Sequence, residues 1–141
     1  MQNFQILHKK TTALYNEAKL VVAYQQYEES RIDRRRNNNN QRTQTENVDA
    51  TSVNVDFTKS FKDGEEIFYG TEWIGNVVGS KAVNVNIANN LQTKVATRYP
   101  DGATWNSFAV YTSYKKEITE KINFSSGLRY NTGQTKASFD T

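Results

Sequence analysis

The chain has 141 residues and no cysteine, which excludes a disulfide framework and a thiolate metal site. Its formal net charge of +3 is too small to indicate a nucleic-acid partner by itself. A hydrophobic fraction of 36% and a mean hydropathy of −0.80 are low for two packed sheets and suit strands with one apolar and one wet face. His8 is the only histidine, so a zinc site is not expected. No metal or cofactor is predicted.

The first part of the chain predicts two strands and a loop. Phe4 and Ile6 indicate a short strand within residues 2–10. Residues 18–30 fit either a strand or a helical face, and the adjacent β-branched pair at 21–22 favours the strand. Residues 31–45 are polar and of low complexity, which predicts a long exposed loop.

Residues 53–73 give the clearest pattern, because apolar and polar residues alternate on both sides of Lys62-Asp63-Gly64. A two-residue Asp63-Gly64 turn would pair Phe57 with Gly70. A three-residue loop instead pairs Phe57 with Tyr69 and leaves Gly64 in the left-handed position of a bulged hairpin. We predict the three-residue loop, since it keeps the apolar residues on one face.

The second half predicts two further strand regions. Alternation continues over residues 83–87, after a change of phase at 77–79 that fits a bulge, a new strand or a continuing strand. Residues 89–103 predict a second long exposed loop that ends in a Pro-Asp-Gly turn. Residues 108–130 predict another hairpin, followed by a loop after Asn131. Short and long connections therefore alternate along the chain, as in outer-membrane barrels.

Four motifs resemble the middle of the barrel in TonB-dependent outer-membrane receptors. They are Phe68-Tyr69-Gly70-Thr71-Glu72, Ser80, the Arg98-Tyr99-Pro100-Asp101-Gly102 turn and Gly127-Leu128-Arg129-Tyr130. Their order is most similar to that in receptors for haem, haemoglobin or related iron sources. No segment resembles the plug domain or the TonB-contacting segment of that family, and the end of the chain lacks the family's aromatic final strand.

The resemblance implies a fold and a role. We expect residues 1–141 to form an all-β antiparallel meander of about six strands, an incomplete piece of a transmembrane barrel. No signal peptide is recognisable over residues 1–10, so the chain either stays in the cytoplasm or is a piece of a longer precursor. In the second case, the resemblance implies uptake of a scarce iron, haem or siderophore complex across the bacterial outer membrane. Its partners would be outer-membrane lipid, the transported complex and TonB, the last through a part absent from this chain.

Candidate site residues fall into three groups. Residues in the two predicted loops are candidate ligand contacts: Arg34, Arg35, Arg36, Arg98 and Tyr99. Apolar residues of the strands are predicted to face lipid, with their aromatic members in an interfacial girdle: Val53, Val55, Phe57, Ile67, Tyr69, Trp73, Phe108, Val110, Ile122, Phe124 and Leu128. Polar residues of the central hairpin are predicted to lie close together, in a water-filled interior: Asn54, Asp56 and Glu72.

The sequence also allows other interpretations of the arginine run and of the fold. The arginine run at 31–42 is either a solvated loop or a phosphate-binding surface. Nucleic-acid binding is not expected, because the aromatic residues are not beside the arginines. We expect no enzyme, because no nucleophile, catalytic triad or phosphate loop is present. The alternative fold is a soluble β-sandwich or small barrel that binds a ligand, with Trp73 and Tyr69 in its core.

Overall fold

The computed structural model describes residues 1–139, and these form one antiparallel sheet of seven strands. The strand order is β1-β2-β3-β4-β6-β7, with the short β5 paired to β4. This confirms the predicted all-β antiparallel meander of about six strands. The bounds are Gln2–Lys9 (β1), Glu17–Arg34 (β2), Asn40–Ser60 (β3), Glu65–Asn86 (β4), Leu91–Lys94 (β5), Ala103–Thr119 (β6) and Ile122–Lys136 (β7).

The first two strands lie where the sequence predicts them. β1 pairs with β2 in a register that runs from Gln2 opposite Tyr24 to Lys9 opposite Glu17. Residues 18–30 are therefore strand and not helix, as their β-branched pair favours. In the connection, the hydroxyl of Thr12 accepts hydrogen bonds from the backbone N–H groups of Leu14 and Tyr15.

The prediction of a long loop over residues 31–45 is wrong. β2 extends to Arg34 and β3 begins at Asn40, so only residues 35–39 connect them. Asn37 adopts the left-handed conformation, with a φ of 61°, which asparagine tolerates better than most residues. Polar side chains do not prevent strand pairing, because the ladder is made by backbone groups and the side chains need only a wet face. The loop predicted after Asn131 is wrong for the same reason, since β7 continues to Lys136.

The central hairpin confirms the three-residue loop. Lys62–Gly64 forms one turn of 3-10 helix, and Gly64 has a φ of +71°. The N–H of Phe61 donates to the carbonyl of Glu65 at 2.8 Å, and the rings of Phe57 and Tyr69 are stacked 5.2 Å apart. β4 continues without interruption through the change of phase at 77–79, so no new strand begins there.

The connection between β4 and β6 runs over residues 87–102, which confirms the second long connection with one addition. It contains β5, whose ladder on β4 runs from Leu91 opposite Asn86 to Lys94 opposite Val83. The predicted Pro-Asp-Gly turn is present: the N–H of Ala103 donates to the carbonyl of Pro100, and Gly102 has a φ of 75°. β6 and β7 are joined by residues 120–121 only.

The chain divides into two compact units. The first unit comprises Met1–Tyr24, Thr51–Gly75 and Asn106–Gln134, and the second comprises Gln25–Ala50, Asn76–Trp105 and Thr135–Thr141. The buried residues among those described are small or polar: Ala82, Ala109, Glu46 and Ser80. No large side chain among residues 1–139 is fully buried. The described part of the chain also contains no helix with the length and apolar character to cross a membrane.

Candidate functional surfaces

The apolar face of the first unit consists of the odd-numbered residues of β3 and β4 and the even-numbered residues of β6 and β7. Contacts between rings support this assignment, with Phe57 on Tyr69 and Tyr114 6.4 Å from Phe124. All eleven residues predicted to face lipid lie in this unit. Five are half-buried: Val53, Val55, Phe57, Ile67 and Tyr69. Six are exposed, with exposed fractions from 40% for Trp73 to 79% for Leu128: Trp73, Phe108, Val110, Ile122, Phe124 and Leu128.

A row of aromatic rings crosses this face beside the short connections. His8 contacts Tyr15 edge-to-face with centroids 5.9 Å apart, and Tyr15 lies 5.6 Å from Phe57, which stacks on Tyr69. The hydroxyl of Tyr69 donates to the carbonyl of Leu14 at 3.0 Å, so the row is also tied to the β1–β2 connection. Sequence reasoning missed Tyr15 and His8, because neither belongs to the alternating pattern of the central hairpin.

The opposite side of the first unit, its polar face, carries a network that joins four strands. The hydroxyl of Tyr111 on β6 donates to the carboxylate of Asp56 on β3. The guanidinium of Arg129 on β7 lies over the ring of Tyr111, 5.2 Å from its centroid, and donates to the carboxylate of Glu72 on β4. Asn54 donates to the other oxygen of Glu72 at 3.2 Å. The carboxylates thus have hydrogen-bond donors instead of facing each other unpaired.

The structure therefore brings together the predicted polar residues and adds two more. Asn54 and Glu72 are in direct contact, and Asp56 is joined to Glu72 through Tyr111 and Arg129. The alternating pattern of β6 and β7 already predicts that Tyr111 and Arg129 lie on the face opposite the apolar residues. It does not predict which strands lie beside them. Among the described residues no group of three or more His, Asp or Glu side chains is arranged to hold a metal ion.

Close packing on the polar face depends on small residues. Ala109 on β6 is 3% exposed, and a Cβ atom at Gly70 would lie 2.8 Å from the ring of Tyr111 and 2.6 Å from the carbonyl of Val55. The ring of Phe68 stacks on the ring of Tyr111, with the two centroids 5.8 Å apart. The tyrosine ring thus occupies the space that a side chain at position 70 would take, which holds β3, β4 and β6 together.

The second unit contains a cavity of about 740 Å³. Its wall is formed by Ser80–Val83 on β4, the connection from Lys94 to Asp101, and Ser138 and Phe139. Arg98 and Tyr99, two of the predicted ligand contacts, line this cavity, and the guanidinium of Arg98 lies 5.3 Å from the tyrosine ring centroid.

The other predicted contacts lie elsewhere in the second unit. Arg34 ends β2, and Arg35 and Arg36 belong to the connection at 35–39. None of the three is among the described residues that line the cavity. Arg42, which sequence reasoning did not single out, donates to the carbonyl of Ala96 at 2.9 Å and so fixes the cavity wall to β3.

Comparisons with known proteins add no relative: no protein family, curated protein or solved structure matches the chain.

Proposed function

We propose that the chain is a segment of a transmembrane β-barrel in a bacterial outer membrane, of the type found in TonB-dependent receptors, and that it serves the uptake of a scarce nutrient complex. One observation carries this proposal. In the first unit six of the eleven apolar side chains are exposed, whereas on the polar face Asn54, Asp56, Glu72 and Tyr111 are half-buried and hydrogen-bonded. Soluble sheets have the reverse distribution, with apolar residues against a core.

The exposed apolar face is unfavourable in water. Fully burying one large aliphatic or aromatic side chain contributes about 1.5–3 kcal/mol, and six such residues of this face are exposed. Lipid chains would cover that face without requiring a second sheet. Alternating apolar and polar residues along strands, with the apolar residues toward lipid, is the pattern of transmembrane barrels.

The polar network fits a water-filled interior. Charged groups within a barrel lumen are stabilised when they pair with one another across strands, as Arg129 and Glu72 do. Backbone groups in hydrocarbon must all be hydrogen-bonded, which strands achieve only in a closed sheet. In the described residues β1 and β7 end the strand order, so we propose that further strands of a longer protein close the sheet.

Strand length and aromatic position agree with the same proposal. A strand needs about 9–11 residues to cross a bilayer, and β2, β3, β4, β6 and β7 each have 15 or more. The row from His8 to Tyr69 corresponds to an aromatic girdle at one membrane interface. Iron, haem or a siderophore complex as the cargo, and TonB as a partner acting through another part of the receptor, rest on the sequence resemblance alone.

A soluble β-sandwich is less well supported. It requires a second sheet over the apolar face, whereas the described residues form a single sheet in which Phe108 and Leu128 are 45% and 79% exposed. Among the described residues, Phe57, Tyr69, Phe108 and Leu128 are therefore not gathered into a dry centre.

Tryptophan fluorescence tests the proposal directly. The chain has two tryptophans, so the Trp105→Phe variant leaves Trp73 on the apolar face as the only reporter. In vesicles containing lipids brominated on their acyl chains, we expect strong quenching of Trp73 fluorescence compared with vesicles of unbrominated lipid. A soluble monomer in plain buffer with a blue-shifted, unquenched Trp73 spectrum would refute the membrane proposal. The Trp73→Phe variant, which reports on Trp105 alone, controls for quenching that does not depend on the apolar face.

A further inference from the structure

The cavity of the second unit carries an excess of positive charge. The charged residues in its described wall are three bases, Lys81, Lys94 and Arg98, and one acid, Asp101. Within residues 1–139 none of these three bases forms an ion pair, and the guanidinium of Arg98 lies over the ring of Tyr99. One oxygen of Asp101 already accepts a hydrogen bond from the N–H of Ser80 at 2.8 Å, so this carboxylate has a structural role in the wall.

The strand register brings the two lysines to one face. Lys94 is directly opposite Val83, which is two residues from Lys81 on β4. Residues two apart on a strand point to the same side, so Lys81 and Lys94 are diagonal neighbours, on the order of 7 Å apart. Like charges at this spacing repel each other, and this repulsion is relieved when an anion lies between them.

The wall is fixed before any ligand arrives. The β4–β5 ladder continues past Lys94, because the N–H of Val95 donates to the carbonyl of Ala82 at 3.1 Å. Arg42 holds Ala96, and Asp101 holds Ser80. Rigid walls reduce the ordering cost of binding. A volume of about 740 Å³ is within the range of small-molecule sites.

From these observations we propose that the cavity binds a small polyanion rich in carboxylate or phosphate oxygens, held by Lys81, Lys94 and Arg98. The aromatic and apolar wall near Tyr99 and Pro100 would contact the carbon part of the ligand. The site follows from the second unit alone and does not depend on the membrane proposal. The same oxygen chemistry occurs in free anions and in lipid headgroups, so the test includes both.

Isothermal titration of the 141-residue chain in zwitterionic micelles at low ionic strength tests the site. The probes are citrate, inorganic pyrophosphate and dihexanoyl phosphatidic acid. We expect saturable binding of at least one probe. Lys81→Gln and Lys94→Gln should each weaken that binding about threefold to tenfold, whereas Lys94→Arg, which keeps the charge, should retain it. Binding of citrate or pyrophosphate indicates a free anion as ligand, and binding of phosphatidic acid alone indicates a lipid headgroup.

Lys121→Gln is the matched control, because it removes the same charge from the β6–β7 connection of the first unit. It should change the affinity less than twofold. The site proposal is overturned if none of the three probes binds saturably, or if Lys121→Gln weakens binding as much as the cavity variants do. If the anion site fails, we still expect brominated lipids to quench the fluorescence of Trp73. Failure of the anion site can therefore be told apart from failure of the membrane proposal.

Discussion

The two units differ in what their polar groups contact. In the first unit, three cations form ion pairs with carboxylates: Lys9 with Glu17, Lys116 with Glu65, and Arg129 with Glu72. In the second unit Arg31 pairs with Glu29 of the same strand, but within the described residues Lys81 and Lys94 have no ion pair, and the side-chain oxygens of Asn76 and Ser80 are buried without a hydrogen-bond partner. The ion pairs of the first unit join different strands, whereas in the second unit Lys81 and Lys94 remain available for a ligand.

The largest expected effect on stability comes from replacing one glycine, and a glycine of each unit is compared. Gly70→Ala places a Cβ atom 2.6 Å from the carbonyl of Val55 and 2.8 Å from Tyr111, so backbone and ring must move. We expect a loss of about 2–3 kcal/mol in the free energy of unfolding, as for other overpacked sites. Urea unfolding in detergent micelles measures it.

Gly79→Ala in the second unit is the control for that variant. The nearest atoms to its Cβ would be 3.8 Å away, which is ordinary contact. We expect no loss, or a gain of about 0.5 kcal/mol from reduced freedom of the unfolded chain. An equal loss in both variants would show that strand glycines matter here for flexibility and not for the space occupied by Tyr111.

A charge removed from each unit gives the second contrast. Arg129→Gln removes the ion pair with Glu72 and the contact with the Tyr111 ring, and we expect a loss of about 1 kcal/mol, because the arginine is partly exposed. Lys94→Gln should leave the stability of the free chain unchanged or slightly higher, since it relieves repulsion from Lys81. Thermal unfolding without added anions measures both, and a greater loss for Lys94→Gln would contradict the comparison.

A third contrast, of similar size, concerns one hydroxyl in each unit. Thr71 donates from Oγ1 to the carbonyl of Ala109 at 3.0 Å, so Thr71→Val should cost about 1 kcal/mol. Ser80 is 3% exposed and its hydroxyl has no hydrogen-bond partner within residues 1–139, so Ser80→Ala should cost nothing or stabilise by up to about 1 kcal/mol. Chemical denaturation of the two variants is sensitive enough to give the sign, and a clear loss for Ser80→Ala would mean that its hydroxyl is bonded in solution.

The central hairpin shows how far local sequence predicts this fold. Alternation, the parity of a three-residue loop and a glycine that tolerates positive φ are all local features, and together they give the pairing of Phe57 with Tyr69. The same reasoning does not predict the strand structure of residues 31–34 and 40–45, because a strand with polar residues on both faces has no hydrophobic period.

The candidate surfaces were predictable in part. Alternation correctly separates the apolar residues of the first unit from Asn54, Asp56 and Glu72. It does not give the network through Tyr111 and Arg129, because that depends on β6 pairing with β4 across a connection of 16 residues. The cavity depends on the same connection, since β5 returns to β4 and brings Lys94 beside Lys81.

β7 is a strand of 15 residues, exposed throughout, that pairs within the described residues with β6 alone. The amide and carbonyl groups along its outer edge can form a β-ladder with another extended segment. In the barrel that we propose, a strand that continues the meander would pair with this edge. A second copy in concentrated solution would instead start an open-ended filament, so storing the purified chain without lipid should favour fibre growth from this margin.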